Sequence, residues 1–395
     1  MTAGKNILIL GAGFGGLATA NLLQKNLPQK ECQVTVIDKS QYFMMGLVNL
    51  WILSENRSLE DSRVLLNKLE NKGIRFLCDE IIGIDPSRNS VTVRTNHDKI
   101  EYDYLIVALG AELAPERING FGASGCFNIY DAQQVPPLRQ KILSLKSGRI
   151  VICITDIPYK CPPAPYEVSL LINDILIKNG TRDYIDLDMF VPTPISLPAA
   201  GANISQEVVN LLNNNHINFH PLHKLRKVLD KETIEFENGN KINYDLLIAI
   251  PPHQVPQVIK NSDLLIDENQ HWISVDRFTL RTKYKNVFAI GDVTEIRLEN
   301  AMTIPKAGIF AESEAKVVSQ QIINEITTNN NNKSHNTQFD GKGFCFMEVG
   351  NKKAGYIDAN FYNEGGPIVR LDPPSEEVYQ KKHDFERSRL HEWLA

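Results

Sequence analysis

The chain has 395 residues, enough for two or three domains that each bury a substantial core. Its 42 basic and 47 acidic residues give a net charge of −5 without a dense lysine or arginine block, which argues against nucleic acid as a partner. Six cysteines without close pairing motifs do not form a secreted disulfide scaffold, and no apolar run is long enough to span a membrane.

The first predicted elements form a βαβ unit. A strand leads into the loop GAGFGG, a helix follows, and a second strand, QVTVID, ends on Asp38. Gly11, Gly13 and Gly16 have the spacing GxGxxG, which permits a tight turn and close approach of the backbone to a pyrophosphate. Asp38 is placed to hold a ribose hydroxyl, so this unit predicts a nucleotide site.

A second α/β pattern follows the segment EYDYLIVALGAEL. It predicts a strand over 149–154, a helix from Pro165 to about Asn179, the strand IDLDMFV and the helix SQEVVNLLNNN. The pattern closes with YDLLIAIPPH, which is similar to the segment that ends the first unit. Two similar segments in one chain indicate two α/β domains in tandem.

The last third returns to a strand and a Gly-Asp turn in NVFAIGDVTE, where Asp292 precedes a predicted helix. That helix end is suited to an anion or a flavin, or Asp292 is only a helix cap. A polar linker over 329–335 leads to GKGFCFMEVGNKKAGYIDANFY, which alternates like a hairpin, and the last twenty residues are predicted to be helical.

The loop YKCPPAPYE in the second unit is unusual, because a nicotinamide site there would need glycines. Between Arg149 and Asn179 there is none, and prolines remove the N–H donors that bind phosphate, which argues against an NADH site. Cys161 precedes the helix with Lys160 beside it, and both the helix end and the charge favour a reactive thiolate. The alternative is an inert cysteine in a rigid turn.

The other cysteines occur in different contexts. Cys32, Cys78 and Cys153 lie in apolar strand patterns and are predicted to be core or strand-end residues. Cys345, in GFCFMEV, would by itself be assigned to the core. Cys126 follows a glycine-rich loop and is ambiguous.

Together these segments resemble the two-dinucleotide-binding-domain flavoproteins, and within them the sulfide:quinone oxidoreductases and the flavoprotein subunit of flavocytochrome c sulfide dehydrogenase. The motifs are ILGAGFGGLATA, YDYLIVALGAEL, YKCPPAPYE, YDLLIAIPPHQVP, TLRTKYKNVFAIGDV and IPKAGIFAESEA. The cysteine-proline loop, the PPH turn and the PKAG helix are the specific ones. They extend through nearly the whole chain in family order.

The resemblance implies an α/β fold of two tandem Rossmann-like domains with a C-terminal hairpin and helix region. The implied parts are an FAD-binding domain over 1–113 and 256–328, a second Rossmann-like domain over 114–255, and a linker and C-terminal region over 329–395. It assigns FAD contacts to Gly11, Gly13, Phe14, Gly15, Gly16, Asp38, Lys39, Ala108, Gly110, Gly291, Asp292 and Lys306. No metal site is predicted.

The resemblance also implies a redox-active pair of Cys161 and Cys345, with Cys126 as the third cysteine of the quinone-reducing members. Sulfide attacks the disulfide, and two electrons pass to FAD and then to a quinone. Glu167 is a candidate proton acceptor near Cys161, although acids in a first helical turn stabilise any helix. Lys306 is expected to stabilise negative charge on reduced flavin, unless it is simply solvated.

Some features depart from this pattern and leave the acceptor open. Tyr130 occupies the position of a histidine in the best-known quinone-reducing members, and QYFMMGLVN lacks the cysteine that tethers FAD in the cytochrome-linked ones. The alternatives are a type II NADH:quinone dehydrogenase, a flavin-binding redox sensor without turnover, and a flavoenzyme acting on a persulfide or small thiol.

The location of the protein is inferred from its two ends. With no cationic leader, we expect no signal peptide and a cytoplasmic position, free or peripheral on the cytoplasmic membrane. The C-terminal helix has an apolar arc that also contains Lys382, Glu386 and Arg389. Its predicted role is to bind the membrane surface, a second subunit of a homo-oligomer, or the rest of the chain.

Overall fold

The computed structural model describes residues 4–122, 125–267, 270–298, 302–327 and 337–395, so the predicted linker over 329–335 lies outside the described residues. The α-helices are α1 (Phe14–Asn26), α2 (Val48–Leu53), α3 (Val135–Ser144), α4 (Ala164–Lys178), α5 (Ala202–Asn214), α6 (Gln257–Lys260), α7 (Gly308–Thr327) and α8 (Glu376–Leu394).

The strands of the first domain and of the connection to the second are β1 (Lys5–Leu10), β2 (Cys32–Asp38), β3 (Tyr42–Phe43), β4 (Val64–Leu65), β5 (Arg75–Cys78), β6 (Ile81–Asp85), β7 (Ser90–Val93), β8 (Lys99–Glu101), β9 (Tyr104–Val107) and β10 (Glu112–Leu113). Those that follow are β11 (Gly148–Ile154), β12 (Ile185–Phe190), β13 (Asn218–His220), β14 (Leu225–Val228), β15 (Thr233–Phe236), β16 (Lys241–Asn243), β17 (Leu246–Ile250), β18 (His253–Gln254), β19 (Ile273–Ser274), β20 (Val287–Ala289), β21 (Thr294–Glu295), β22 (Lys342–Gly350), β23 (Lys353–Asn360) and β24 (Ile368–Leu371).

The first domain is built on a parallel sheet with the strand order β20-β9-β1-β2-β5. Its strands are apolar because both faces are covered. Helices α1 and α7 pack on one face, and the antiparallel strands β6, β7 and β8 lie with α6 over the other. Strand β20 joins this sheet from a segment that follows the second domain, so the chain leaves the first domain and returns to it.

The second domain repeats the plan with a four-stranded parallel sheet of order β13-β12-β11-β17. Helices α4 and α5 lie on one face, and the antiparallel strands β14, β15 and β16 lie on the other. Strands β10 and β18, in the two connections between the domains, pair with each other. The predicted α/β fold with two tandem Rossmann-like domains is confirmed.

The C-terminal region is an antiparallel sheet of β22, β23 and β24 that is covered by α8. The predicted hairpin is β22–β23, and the prediction did not include the third strand. Strand β22 packs against α4, the helix that follows the cysteine loop. This contact brings the C-terminal sheet to the second domain.

Helix α8 packs its apolar arc on the rest of the chain. Val378, Trp393 and Leu394 are buried there, and the three charged residues within the arc are all ion-paired. Lys382 binds Glu167 and Glu348, Glu386 binds Arg57, and Arg389 binds Glu312. The arc therefore belongs to the interior of this protein, because each charge has an internal partner.

No helix among the described residues combines the length and apolar character needed to cross a membrane.

Candidate active site

The glycine loop between β1 and α1 requires glycine at two positions for steric reasons. Gly11 has φ = +98°, and a Cβ there would lie 2.4 Å from the carbonyl oxygen of Ala108. A Cβ on Gly16 would lie 1.9 Å from the carbonyl oxygen of Gly11. Gly13 has open space in front of it, so a ligand can approach the backbone at the start of α1.

The residues at the ends of β2 and β9 border this loop. Asp38 accepts hydrogen bonds from the backbone N–H groups of Ala12 (2.7 Å) and Ser40 (2.8 Å), which holds its carboxylate beside the glycine loop. Lys39 is exposed and forms a 3.5 Å ion pair with Glu112. Gly110, at φ = +66°, makes the turn out of β9.

Phe14 and Gly15 pack the end of the glycine loop against neighbouring elements. The ring of Phe14 lies 5.3 Å from that of Trp393 on α8, which connects the loop to the C-terminal helix. A Cβ on Gly15 would lie 2.8 Å from the side chain of Ile290, so the start of α1 packs closely on the end of β20.

The Gly-Asp turn after β20 forms the opposite side of the same sheet edge. Gly291 has φ = +73°, and its N–H donates to the buried Glu314 carboxyl at 2.6 Å. Burial raises the pKa of Glu314 to about 7. Burial also raises the pKa of Asp292, although the charges of Lys306 and Lys160 oppose this change. Asp292 does not cap α7, because it lies in a short 3₁₀ turn and α7 begins sixteen residues later, at Gly308.

Lys306 is a buried lysine, so the alternative of a solvated side chain is wrong. It is 6% exposed, and its Nζ donates to the carbonyl oxygens of Asp292 (2.7 Å) and Thr294 (2.9 Å). The Nζ also lies 3.4 Å from the centre of the Trp272 ring. Burial lowers its pKa to about 8.

His253 and Tyr130 lie on the second-domain side of this edge. His253 is buried with its Nε2 without a hydrogen-bond partner, and burial lowers its pKa to about 3, so its ring is neutral at pH 7. The ring of Tyr130 stands edge-on to it at 5.5 Å. An unpartnered buried ring nitrogen indicates a site for a polar ligand group.

These features fit the predicted FAD. The glycine loop offers open backbone at a helix N-terminus, and Asp38, Asp292 and Lys306 supply polar groups along the carboxyl edge of a parallel sheet. Among the described residues, no group of three or more His, Cys, Asp or Glu side chains is arranged to hold a metal ion.

The cysteine loop before α4 is rigid and tied to the first domain. Cys161 has φ = +50°, an uncommon conformation for a residue with a side chain, and its N–H donates to the carbonyl oxygen of Lys306 at 2.6 Å. The Tyr130 hydroxyl donates to the Cys161 carbonyl oxygen at 3.3 Å. Pro162 and Pro163 follow directly, so the loop offers few N–H donors to a phosphate.

Cys161 and Cys345 belong to the same neighbourhood, because Cys345 lines one cavity together with Lys306 and with Pro162, the residue after Cys161. Cys345 is the largest cause of the raised pKa of Cys161, and burial and the charge on Glu167 add to it. The prediction that helix end and Lys160 favour a Cys161 thiolate is therefore wrong for the dithiol form. Cys345, burial and Glu167 raise the pKa of Cys161 by more than the charge of Lys382 lowers it.

Cys126 lies apart from this pair. It packs with Cys153 in the core on the other face of the second-domain sheet, and its thiol donates to the Phe127 carbonyl oxygen at 3.5 Å. Burial raises its pKa to about 12. The structure therefore does not place Cys126 with Cys161 and Cys345.

Glu167 belongs to a buried ionic cluster, which we call the acid–lysine cluster: Glu167, Lys382 and Glu348. Lys382 Nζ lies 2.8 Å from Glu167 Oε1 and 2.9 Å from Glu348 Oε2, and all three side chains are at most 3% exposed. Glu167 Oε1 also accepts the Glu348 backbone N–H at 2.8 Å. Burial raises the pKa of Glu167 more than Lys382 lowers it. Burial alone would lower the pKa of Lys382, but the two carboxylates together raise it.

An apolar cavity of about 280 Å³ opens beside the cysteines. Cys345 and Lys306 line it together with proline, aromatic and aliphatic residues, and no aspartate, glutamate or histidine is among its lining residues. These include Tyr159, Pro162, Pro163, Leu197, Phe310 and Phe361. A small neutral molecule entering this cavity reaches Cys345 directly.

Sequence reasoning missed Lys382, Glu348 and His253 as parts of the site. The PPH turn is a specific motif, but its sequence pattern assigns no role to the histidine. Lys382 was visible as a charge inside an apolar helical arc, which is a signal for a buried ion pair. Nothing in the sequence pattern marks Glu348.

Three comparisons place this arrangement among known proteins. The family model for pyridine nucleotide-disulphide oxidoreductase matches residues 5–153 and 189–312. The mitochondrial sulfide:quinone oxidoreductase of Dictyostelium discoideum is 29% identical over 80% of this chain and 70% of its own, and the sulfide-quinone reductase of Aquifex aeolicus is 27% identical over 95% and 86%. The crystal structure of the Aquifex aeolicus sulfide:quinone oxidoreductase superposes with a TM-score of 0.85 at 25% identity, covering 97% of this chain and 90% of the other.

Proposed function

Because the chain belongs to the pyridine nucleotide-disulphide oxidoreductase family and is a sulfide:quinone oxidoreductase-like flavoenzyme, we propose that it oxidises sulfide or a related small sulfur compound through Cys161 and Cys345. FAD would be held by the glycine loop with Asp38 and by the turn of Gly291 and Asp292, and it would carry the electrons to a quinone.

The placement of Cys161 and Cys345 around Lys306 is the observation that carries this proposal. The two cysteines come from distant segments: the Cys161 N–H donates to the Lys306 carbonyl oxygen, and Cys345 lines one cavity with Lys306. Ligands of open α/β sheets bind at the carboxyl edge of the strands. In this proposal a reducible cysteine pair occupies the edge where a nicotinamide would otherwise approach.

In the chemistry that follows, the pair begins as a disulfide. The sulfur of hydrogen sulfide attacks one cysteine sulfur, the bond between Cys161 and Cys345 breaks, and a persulfide forms on the attacked cysteine. The other cysteine leaves as a thiolate, and one proton is released. Bound FAD supplies the two-electron acceptor that regenerates the disulfide as the sulfur leaves.

The surrounding residues are assigned roles in this reaction. The apolar cavity admits neutral hydrogen sulfide, and the bond from the Cys161 N–H to the Lys306 carbonyl oxygen fixes the loop that carries Cys161. Glu167 is a carboxyl group whose charge raises the pKa of Cys161, so we assign it the acceptance of the released proton. Lys306 supplies a cation that two backbone carbonyls hold in place.

The donor assignment is supported against NADH by the cysteine loop. A dinucleotide needs backbone N–H groups at the start of α4, and this loop contains Pro162, Pro163 and Pro165 instead of glycine. Quinone as the acceptor is supported by the names of the relatives. The apolar arc of α8 packs on the rest of the chain. Any peripheral contact of the protein with a membrane would therefore use another surface.

Anaerobic titration of the purified flavoprotein tests this function. Sulfide should bleach the flavin absorption band and NADH should not, and an added quinone should restore the band. Cys161→Ser and Cys345→Ser should each abolish bleaching by sulfide while FAD stays bound, with Cys153→Ser as a control outside the site. Bleaching by NADH without a response to sulfide, or unaltered kinetics in both variants, would contradict the proposal.

A further inference from the structure

The apolar cavity through which sulfide enters has few side chains that could accept a proton released at the cysteines. Among the residues lining the apolar cavity, the titratable side chains are Tyr159, Lys306 and Cys345. Burial raises the pKa of Tyr159, and Lys306 already donates to two carbonyl oxygens. Oxidation of hydrogen sulfide to the level of elemental sulfur nevertheless releases two protons with its two electrons.

The acid–lysine cluster leads away from the cysteines to the opposite side. Glu167 acts electrostatically on Cys161, and its Oε1 is 2.8 Å from Lys382 Nζ, which is 2.9 Å from Glu348 Oε2. Glu348 in turn lines a second cavity of about 200 Å³. That cavity is polar, and its other lining residues include Ser54, Asn56, Arg139, Asp174, Lys178 and Lys352.

We propose that Glu167, Lys382 and Glu348 form a proton relay from the cysteine pair to this polar cavity. The inference rests on the proposed function, because it assigns the route of the protons that sulfide oxidation releases. Lys382 and Glu348 act through Glu167 and do not touch the reacting sulfurs, so they are relay residues.

The relay returns each group to its starting charge. A proton from the substrate adds to Glu167. Lys382 receives that proton while it passes one of its own to Glu348, and Glu348 releases a proton to water in the polar cavity. The net change is one proton moved from the buried site to solvent, with no charge left behind.

The surroundings of Glu348 keep its carboxylate oriented along this route. The Trp51 indole N–H donates to Glu348 Oε2 at 3.1 Å, and the His383 ring stacks on Trp51 at 3.9 Å. Other titratable or charged groups near the cluster or the cavity that Glu348 lines include, among the described residues, Tyr130, Cys161, Arg57, Arg139, Asp174, Lys178, Lys352, Tyr379 and Glu386.

Rapid-mixing measurement of flavin bleaching by sulfide, on the FAD-loaded protein, tests the relay. Glu348→Ala should slow bleaching about tenfold near pH 7, less than the 10²–10⁴-fold typical of removing a direct acid or base. Formate, a small carboxylate that fits the space left in the polar cavity, should restore the rate. The solvent deuterium isotope effect should rise in the variant, because proton transfer then limits the rate.

Two further variants separate a relay from a structural role. Glu348→Gln keeps the acceptor for Trp51 but cannot carry the proton, so it should be slow and insensitive to formate. Glu312→Ala removes another buried ion pair of α8, with Arg389, and should keep the wild-type rate and isotope effect. Thermal unfolding and FAD content verify that each variant is folded.

The possible results are distinct. A Glu348→Ala variant with the wild-type rate, or a Glu312→Ala variant slowed and rescued to the same degree, would overturn the relay while sulfide oxidation stands. Failure of sulfide to bleach the wild-type protein would overturn the proposed function and the relay with it.

Discussion

The acid–lysine cluster allows a stability prediction with a defined magnitude. Replacing Lys382 by Met removes the one cation that lies 2.8 and 2.9 Å from two buried carboxylates. Breaking a buried ion pair by removing one partner typically costs about 3–5 kcal/mol, because the remaining charge is left uncompensated. We expect a loss in this range in the free energy of unfolding at pH 7.

The pH dependence of that loss follows from the carboxyl groups. Burial already raises the pKa of Glu167 above its ordinary value of 4.5, and loss of Lys382 raises it further. The folded variant therefore binds more protons than the unfolded chain above pH 4.5, so its stability falls as pH rises. The loss should be smallest below pH 4.5, where both states are protonated.

Urea unfolding of the FAD-loaded protein, followed by tryptophan fluorescence, measures this effect. The triple variant Lys382→Met, Glu167→Gln, Glu348→Gln carries no uncompensated charge and should recover most of the lost stability. A loss below about 1 kcal/mol in the single variant, or no recovery in the triple variant, would show that the cluster is not a buried, mutually dependent unit.

Three further predictions concern the cofactor edge. Gly16→Ala should destabilise the FAD-free protein, because the new Cβ would lie 1.9 Å from the Gly11 carbonyl oxygen. Gly13→Ala should leave the stability of the FAD-free protein unchanged but weaken FAD binding, because Gly13 has open space in front of it. Thermal unfolding measures the first effect, and FAD titration measures the second. Glu314, with a pKa of about 7, binds more protons in the folded than in the unfolded state between pH 4.5 and 7, so stability should fall across this range by up to about 3 kcal/mol. Glu314→Gln should flatten that slope in urea unfolding measured at several pH values; a slope equal to the wild type would contradict the assignment. Lys306→Met should shift the pH dependence of flavin bleaching by sulfide near pH 8, and a profile identical to that of the wild type would mean that Lys306 does not titrate there.

Much of the fold could be predicted from local patterns. The βαβ unit around Gly11 to Asp38 is specified by strand, glycine loop and helix within one continuous segment, and the structure has these elements within a few residues of the predicted bounds. The resemblance to the sulfide:quinone oxidoreductases, the flavoenzyme character and the FAD cofactor are confirmed.

The parts that local patterns do not specify depend on contacts between distant segments. The sequence shows Cys161 next to Lys160 at a helix end, but its pKa is set by Cys345, burial and Glu167. For Cys126, the direction of one side chain at a strand bridge decides which face of the sheet it joins, and no local pattern specifies that choice. The partners of Lys382 likewise become visible only when α8 is docked.

The order in which the segments occur along the chain has a consequence for synthesis on the ribosome. The Cys161 loop is anchored by the carbonyl group of Lys306, its partner sulfur is on β22, and the cation that balances Glu167 and Glu348 is on α8. A nascent chain can thus fold its first glycine loop long before its cysteines meet. The residues of the sulfur chemistry are therefore complete only after β22 and α8 have been synthesised.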